Sequence, residues 1–556
     1  MVAARFARGV RSSVAPLVVV LPALVWVWDA STRASWASLG RDQGIFQYVA
    51  WAARNGDLLY RDVRDVNGPV VAMVHGLFQA LGGTDEHRFR TLDLVANALA
   101  FGVAGAALPS LSTNDIPVTR RVAWAVAAWV VLSAQYLAFG FWDTAQRESF
   151  FDWFVLLAIG AHAAWAPSRT KRAPYFLVAS GLASFIPWFG KPTYALFSIA
   201  HVVALLVDRD AGATFKERLR PLLFFGLGGV LGLAVPFTFL ALRGDVSSWA
   251  RITFVDVPAM YRFIWPRPPG AILGMPGYDR LAALSFVTTV GLIALIVLGR
   301  LPRRALPIAL VPTLGLVSVV VQAKGFPYHF HPVTLGISLA WLTVLVTTWE
   351  RALVAARGIA RLAVLVAAVL LGARAAYLAS TAPFPPRPLV PGSDAHLDAY
   401  IRVDYFPRDL RAAAAYLKAH VAPSERIQVY GMDAYLNFLA ERLSATPYIY
   451  AYDLNVDAAL HGSFDEGGPQ PNDDERARIQ KMRDDHESDM LARLERSPPR
   501  AFVFIDRSPL MNSTDALEDF GAHCPRTAFW LMEHYREADD FTAPQGQIRI
   551  FLRQNE

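Results

Sequence analysis

The chain has 556 residues, 54% hydrophobic and 18% charged, with a net charge of +6 and one cysteine. Average soluble domains carry about 25% charged residues, and the mean hydropathy of +0.30 points the same way. The apolar residues come in membrane-length runs with Lys and Arg between them, which excludes a basic nucleic-acid-binding face. A lone Cys524 excludes an internal disulfide and a cysteine-based zinc site.

The N-terminus carries Arg5, Arg8 and Arg11 before an apolar run, as a signal peptide does. Asp29 and Trp36 stand where small cleavage-site residues belong, so the first span is expected to be retained. Spans are predicted at 14–30, 90–109, 121–140, 149–166, 174–190, 192–208, 221–242, 280–299, 306–322, 331–349 and 360–379. Two of these, 174–190 and 192–208, can also be read as one broken hairpin. Residues 69–82 read as a re-entrant or surface helix, or as an extra span. Basic loops alternate in phase with this count: Arg120 and Arg121, Arg169 to Arg172, Lys216 to Arg220, Arg300 to Arg304, and Arg351 to Arg361. The positive-inside rule puts them in the cytoplasm. Segments 31–89, 141–148, residue 191, 243–279, 323–330 and everything after 380 are then external.

Three domains are expected: a transmembrane part over 1–380 with its first external loop at 31–89, a Pro-rich linker over 381–400, and a soluble α/β domain over 401–556. In the last, Arg408 to His420 has helical periodicity. Arg426 to Tyr430, Tyr448 to Tyr452, Ala501 to Ile505 and Ile548 to Leu552 read as strands. Asp465 to Asp489 is charged and reads as a solvated loop and helix.

The external segments hold the residues suited to chemistry. Asp42 lies near the start of a surface helix marked by the spacing Asp42, Phe46, Val49, Ala53. A carboxylate there is stabilised as the anion and can serve as a general base, or it can simply cap the helix. Asp62 and Asp65 frame Arg64 ahead of Asn67, Gly68 and Pro69, as turn residues or substrate contacts. Lys191 precedes Pro192 at the start of a span, where a phosphate or a snorkelling contact fits. Lys324, Tyr328 and His329 lie in a Gly- and Pro-bent stretch that suits a phosphate and a sugar, or an aromatic belt. His329 and His331 could pair on a metal, but no third ligand is near in sequence. Asp143, Arg147 and Glu148 open the 149–166 span, where Arg147 suits a lipid phosphate and Arg147 with Glu148 suits a local ion pair. Trp265 to Pro269 reads as a lid or a connector. Walker, dinucleotide and zincin motifs are absent.

The stretch from Gly56 to Pro69, following a first span and an acidic loop, resembles the GT-C class of integral-membrane glycosyltransferases. More narrowly, it looks like the bacterial relatives of protein mannosyltransferase and lipid A aminoarabinose transferase. Gln146 to Glu148, Gly190 to Thr193 and Lys324 to His329 also look like family segments. The resemblance implies a polytopic α-helical membrane protein of about eleven spans, with a C-terminal periplasmic α/β domain, in a bacterial inner membrane. It implies a polyprenyl-phosphate sugar donor, a lipid, glycan or protein acceptor, and an acid in the first external loop as catalytic base or acceptor-orienting group. Asp42 matches that acid, and Gly56, Tyr60, Asp65 and Pro69 match the loop pattern. Gln43 follows Asp42, where many relatives carry a second acid. The expected reaction is inverting and metal-independent, without a cofactor: Asp42 deprotonates the acceptor while Lys191, Lys324 and Arg147 hold the donor phosphate. The rival reading is a transporter or flippase of a lipid-linked glycan, which needs ionisable residues near the bilayer midplane.

Overall fold

The computed structural model describes residues 14–112, 116–165, 173–355, 358–385, 389–461 and 469–554. The basic clusters at Arg5 to Arg11 and Arg169 to Arg172, together with Arg357, Arg387 and Asp465, lie outside the described residues. Helices occupy all eleven predicted places. Six of the described helices are long and apolar enough to cross a membrane: Glu86–Leu111, Phe215–Arg243, Asp279–Val297, Arg303–Gln322, Pro327–Leu353 and Gly358–Ser380. The first expected span is a bent pair, Val14–Val20 and Leu24–Ser35, at 49°. Pro22 lies at the break, where it removes a helix hydrogen bond. The chain is a multi-pass membrane protein.

The chain packs as two compact units, neither continuous in sequence. The first comprises Met1–Ala37, Thr84–Phe237 and Pro269–Phe384; the second comprises Ser38–Gly83, Thr238–Pro268 and Pro385–Glu556.

In the first unit, small residues let helices approach closely. A Cβ on Gly105 would lie 2.3 Å from that of Ala128, and one on Gly181 would lie 2.0 Å from the carbonyl oxygen of Phe225. Such contacts replace the hydrophobic drive that lipid does not supply. The expected hairpin is resolved into Ala173–Phe185 and Ala195–Val207. Lys191 lies between the 3-10 turns Ile186–Phe189 and Pro192–Tyr194, so the helix that follows it starts with a tight turn.

The second unit is built on a four-stranded sheet: β1 (Ile427–Tyr430), β2 (Ala501–Ile505), β3 (Tyr535–Glu537) and β4 (Ile548–Arg553), in the order β1-β2-β4-β3. β1 and β2 are parallel, with Val429 opposite Val503, and β4 is antiparallel to both β2 and β3. β1 and β2 are buried along their whole length, as their nearly continuous apolar runs require. Aromatics from Tyr430, Phe502, Phe504, Phe520 and Tyr535 fill the core against them. The expected helix is present as Pro407–His420. The charged segment forms one long helix, Asp473–Arg496, opened by a capping box of Asn472 and Glu475.

One expected strand is wrong. Tyr448 to Tyr452 is not extended; it leads into the short helix Tyr452–Asn455. A tight turn follows Pro447, with the Ile449 amide donating to the Pro447 carbonyl at 3.0 Å. The tyrosines that suggested a strand instead use their hydroxyls: Tyr448 donates to Asp489 at 3.0 Å and Tyr450 to Asp65 at 2.9 Å. β3, which is only three residues long, is missed by periodicity.

Candidate functional sites

The first unit gathers most of the predicted polar residues at one end. Helix Arg147–Ala164 starts with Arg147 and Glu148. Glu148 is 1% exposed, and its carboxylate pairs directly with the Lys191 ammonium. His329 Nε2 stands 3.6 Å from the same oxygen, and Arg147 Nε stands 3.9 Å from the other one. Arg147 also donates to the Tyr328 hydroxyl at 3.2 Å, with its guanidinium carbon 5.5 Å from the ring centre. Arg147, Lys191 and Lys324 all act electrostatically on His329. The three cations proposed for the donor phosphate therefore converge, although they come from segments far apart in sequence.

Their placement has local causes. A Cβ on Gly190 would lie 2.2 Å from the Phe151 ring, so this glycine lets the Lys191 turn press against the helix that carries Glu148. The left-handed Ala323 and Gly325 turn the chain so that Lys324 is buried. Burial pushes the Lys191 ammonium down to about 8 against the pull of Glu148, and burial alone pushes Lys324 down to about 8. Glu148 Oε2 and His329 Nδ1 are buried without a hydrogen bond. Three cations drawn together around His329 make a site suited to an anion.

Asp143 and His331 lie one step to the side. His331 Nε2 is 2.7 Å from the Asp143 carbonyl, and its ring stacks on Phe139 at 3.9 Å. His329 and His331 thus use different partners, and the nearby acid, Glu148, faces His329. The sequence reading missed Asp93 and Asp152, both buried within helices. Tyr136 donates to Asp93 at 2.5 Å, and Tyr194 lies 3.4 Å from Asp152. His162 and His201 face each other at 3.0 Å, also inside helices. Asp93 and Asp152 lie in the first turn of their predicted spans and His162 in the last turns of its own; of the four, His201 alone is mid-span. One charge in an apolar run hardly changes its average hydropathy.

The second unit holds the acidic loop. Helix Arg41–Arg54 starts after an extended Gly40, which puts the half-buried Asp42 in its first turn as predicted. The helix is anchored on both sides of Asp42. Arg41 pairs with Asp404 at 2.9 Å and Asp433 at 3.0 Å. Burial opposes the charge of Arg41, and the two carboxylates overcome it. A Cβ on Gly44 would lie 2.3 Å from Tyr435 Cγ. Asp42 is close enough to act electrostatically on Asp433 and Tyr450. We expect Gly44→Ala to cost about 1–3 kcal/mol by overpacking, read as a lower melting temperature of the purified chain. An unchanged melting temperature would mean that Tyr435 can give way.

Asp62 and Asp65 differ. Asp62 is held by its neighbour Arg61 at 2.7 Å and by the Leu58 amide at 2.9 Å, the turn role the sequence allowed. Asp65 is 4% exposed and accepts from the Asn67 amide, the Asn67 side chain and Tyr450. It fastens the loop to the segment after β1. Tyr60, left-handed at φ 72°, donates to the Asn67 carbonyl at 2.8 Å. Burial and the Asp65 charge raise the Tyr60 and Tyr450 hydroxyls well above their usual range. Arg64, which the sequence reading treated only as framed by aspartates, bridges Asp256 at 2.9 Å and Asp453 at 3.0 Å. Trp265, in the segment read as a lid or connector, is left-handed at φ 50°.

The architecture, a helical membrane part with a small sheet, is a GT-C-like fold. ArnT from Cupriavidus metallidurans, solved bound to undecaprenyl phosphate, is similar at a TM-score of 0.54 and 15% identity, covering 96% of this chain and 97% of that one. The archaeal oligosaccharyltransferase AglB from Archaeoglobus fulgidus, in complex with an inhibitory peptide and a dolichol-phosphate, gives a TM-score of 0.44 at 12% identity, over 99% of this chain and 74% of that one. At 15% identity the likeness to ArnT is one of fold. No protein-family model matches the sequence, and no curated protein does.

Proposed function

We propose that the protein is an inverting glycosyltransferase that moves a sugar from a polyprenyl-phosphate carrier to an acceptor at the external face of the inner membrane. The observation that carries this reading is the convergence of Arg147, Lys191 and Lys324 around Glu148 and His329. A phosphate leaving group gains negative charge as the glycosidic bond breaks. Cations already fixed in a water-poor site stabilise that charge without reorganising. Glu148 keeps Lys191 in place, and Tyr328 orients Arg147. Asp42 is assigned to the acceptor: it takes the hydroxyl proton as the oxygen attacks the anomeric carbon, and the carrier phosphate leaves from the opposite face. The acceptor is a lipid, glycan or protein hydroxyl. Transfer of labelled sugar from a synthetic polyprenyl-phosphate donor by the purified chain tests the reading. Failure with every donor sugar tried, in a preparation that binds the carrier, would overturn it.

The pH dependence should carry the signature of the two lysines. Both are charged below about 8 and lose their protons as the pH rises through that value. The kcat/KM for donor should therefore fall above about pH 8, because kcat/KM reports groups of the free enzyme. A profile flat to pH 9.5 would remove both lysines from donor binding.

His201, mid-span and 3.0 Å from His162, favours a second reading, translocation of a lipid-linked glycan, because ionisable groups within a span mark transport paths. Movement of a labelled carrier across liposomes, without sugar transfer, would support it over the first.

A further inference from the structure

A cavity of about 890 Å³ runs between helices Val118–Leu137, Asp279–Val297, His331–Ala355 and Gly358–Ser380. Its volume is within the roughly 300–1,000 Å³ typical of small-molecule sites. Leu284, Trp341, Leu345 and Ala363 form apolar walls. Ala360 and Arg374, both lining it, are separated by about 21 Å of helix at 1.5 Å per residue. That exceeds the hydrocarbon depth of one leaflet, about 15 Å or half of a roughly 30 Å core.

The polar groups collect toward one end. Arg374 donates to Gln135 at 2.5 Å and contacts Ser338 at 3.5 Å. Both partners are neutral, and no carboxylate of the described residues pairs with Arg374. It is the end at which Val118–Leu137 leads through Gly140–Asp143 into Arg147. A guanidinium facing lipid without an acid is costly, and in such a setting it is neutralised by an anion or drawn to a head group. A long apolar groove with one uncompensated cation at its mouth matches an amphiphile with one negative charge.

We propose that this groove binds an anionic glycerophospholipid of the bilayer, its phosphate on Arg374 and one acyl chain along the groove. The charge balance selects it over a zwitterionic lipid, whose own ammonium already offsets the phosphate. The site is separate from the Arg147, Lys191 and Lys324 cluster, so it can be tested whether or not the transfer reading holds.

The test is native mass spectrometry of the full chain released from mixed micelles of phosphatidylglycerol and phosphatidylcholine. We expect one phosphatidylglycerol per chain to be retained, preferred roughly five- to tenfold, as about 1 kcal/mol per basic residue implies. Arg374→Gln should abolish the preference. Ala367→Phe, which keeps the cation but fills the groove, should release the lipid as well, and it decides the matter if Arg374→Gln does not fold. Equal retention of phosphatidylcholine would overturn the proposal. So would undiminished retention by either folded variant, or polyprenyl phosphate as the species bound to Arg374.

Discussion

Asp42→Asn is expected to lower sugar transfer by roughly 10²–10⁴-fold, the usual worth of a positioned general base. Asparagine has nearly the same shape and keeps an oxygen in the first turn of Arg41–Arg54, but it cannot accept a proton. The helix should not move. It is held by Arg41 on Asp404 and Asp433 and by Gly44 against Tyr435, and removing the Asp42 charge only relieves its repulsion of Asp433. Melting temperature and carrier binding should therefore match the parent while turnover is lost. That combination separates chemistry from folding. Asp65→Asn is the contrasting variant. Asp65 accepts two hydrogen bonds from Asn67 within the loop and one from Tyr450 beyond it, so its loss should lower stability first and activity only through it. Near-normal transfer by Asp42→Asn would end its assignment as base.

The contrast between these two aspartates shows what the sequence could and could not say. Asp42 was legible because a helix start has a local signature: a Gly cap, an acid in the first turn, then apolar residues at helical spacing. The eleven apolar segments were legible for the same reason, and so were β1, β2 and β4, whose apolar runs are bounded by breaks. The three cations were singled out by their neighbours, Pro192, Gly325 and the start of Arg147–Ala164. Their convergence around His329 was not, because Arg147 and Lys324 come together through helix packing and not through spacing. The role of Arg64 was equally hidden. Its partners Asp256 and Asp453 lie 192 and 389 positions away, and no periodicity links them. Tyr448 to Tyr452 misled because aromatics at alternate positions suit a strand and an aromatic cluster equally, and hydroxyl partners decided between them.

The buried pair of Lys191 and Glu148 allows the second large effect to be taken apart. Lys191→Met alone should lower transfer by about 10²–10³-fold, because it removes a cation from the donor phosphate. It should also destabilise the fold by about 3–5 kcal/mol, since it leaves the Glu148 carboxylate, 1% exposed, without its closest partner. These two losses have different origins. Adding Glu148→Gln removes the stranded charge and should restore most of the melting temperature, because an uncharged amide in that place is far cheaper to bury. If Lys191 served only to neutralise Glu148, transfer would return along with stability. If it holds the carrier phosphate, the double variant is stable and still impaired in transfer, with a raised KM for donor and Arg147 still stacked on Tyr328. Recovery of transfer in the double variant would move the donor phosphate away from Lys191. Because Arg147 and Lys324 keep their charge, it would also leave them as the only candidates among the three.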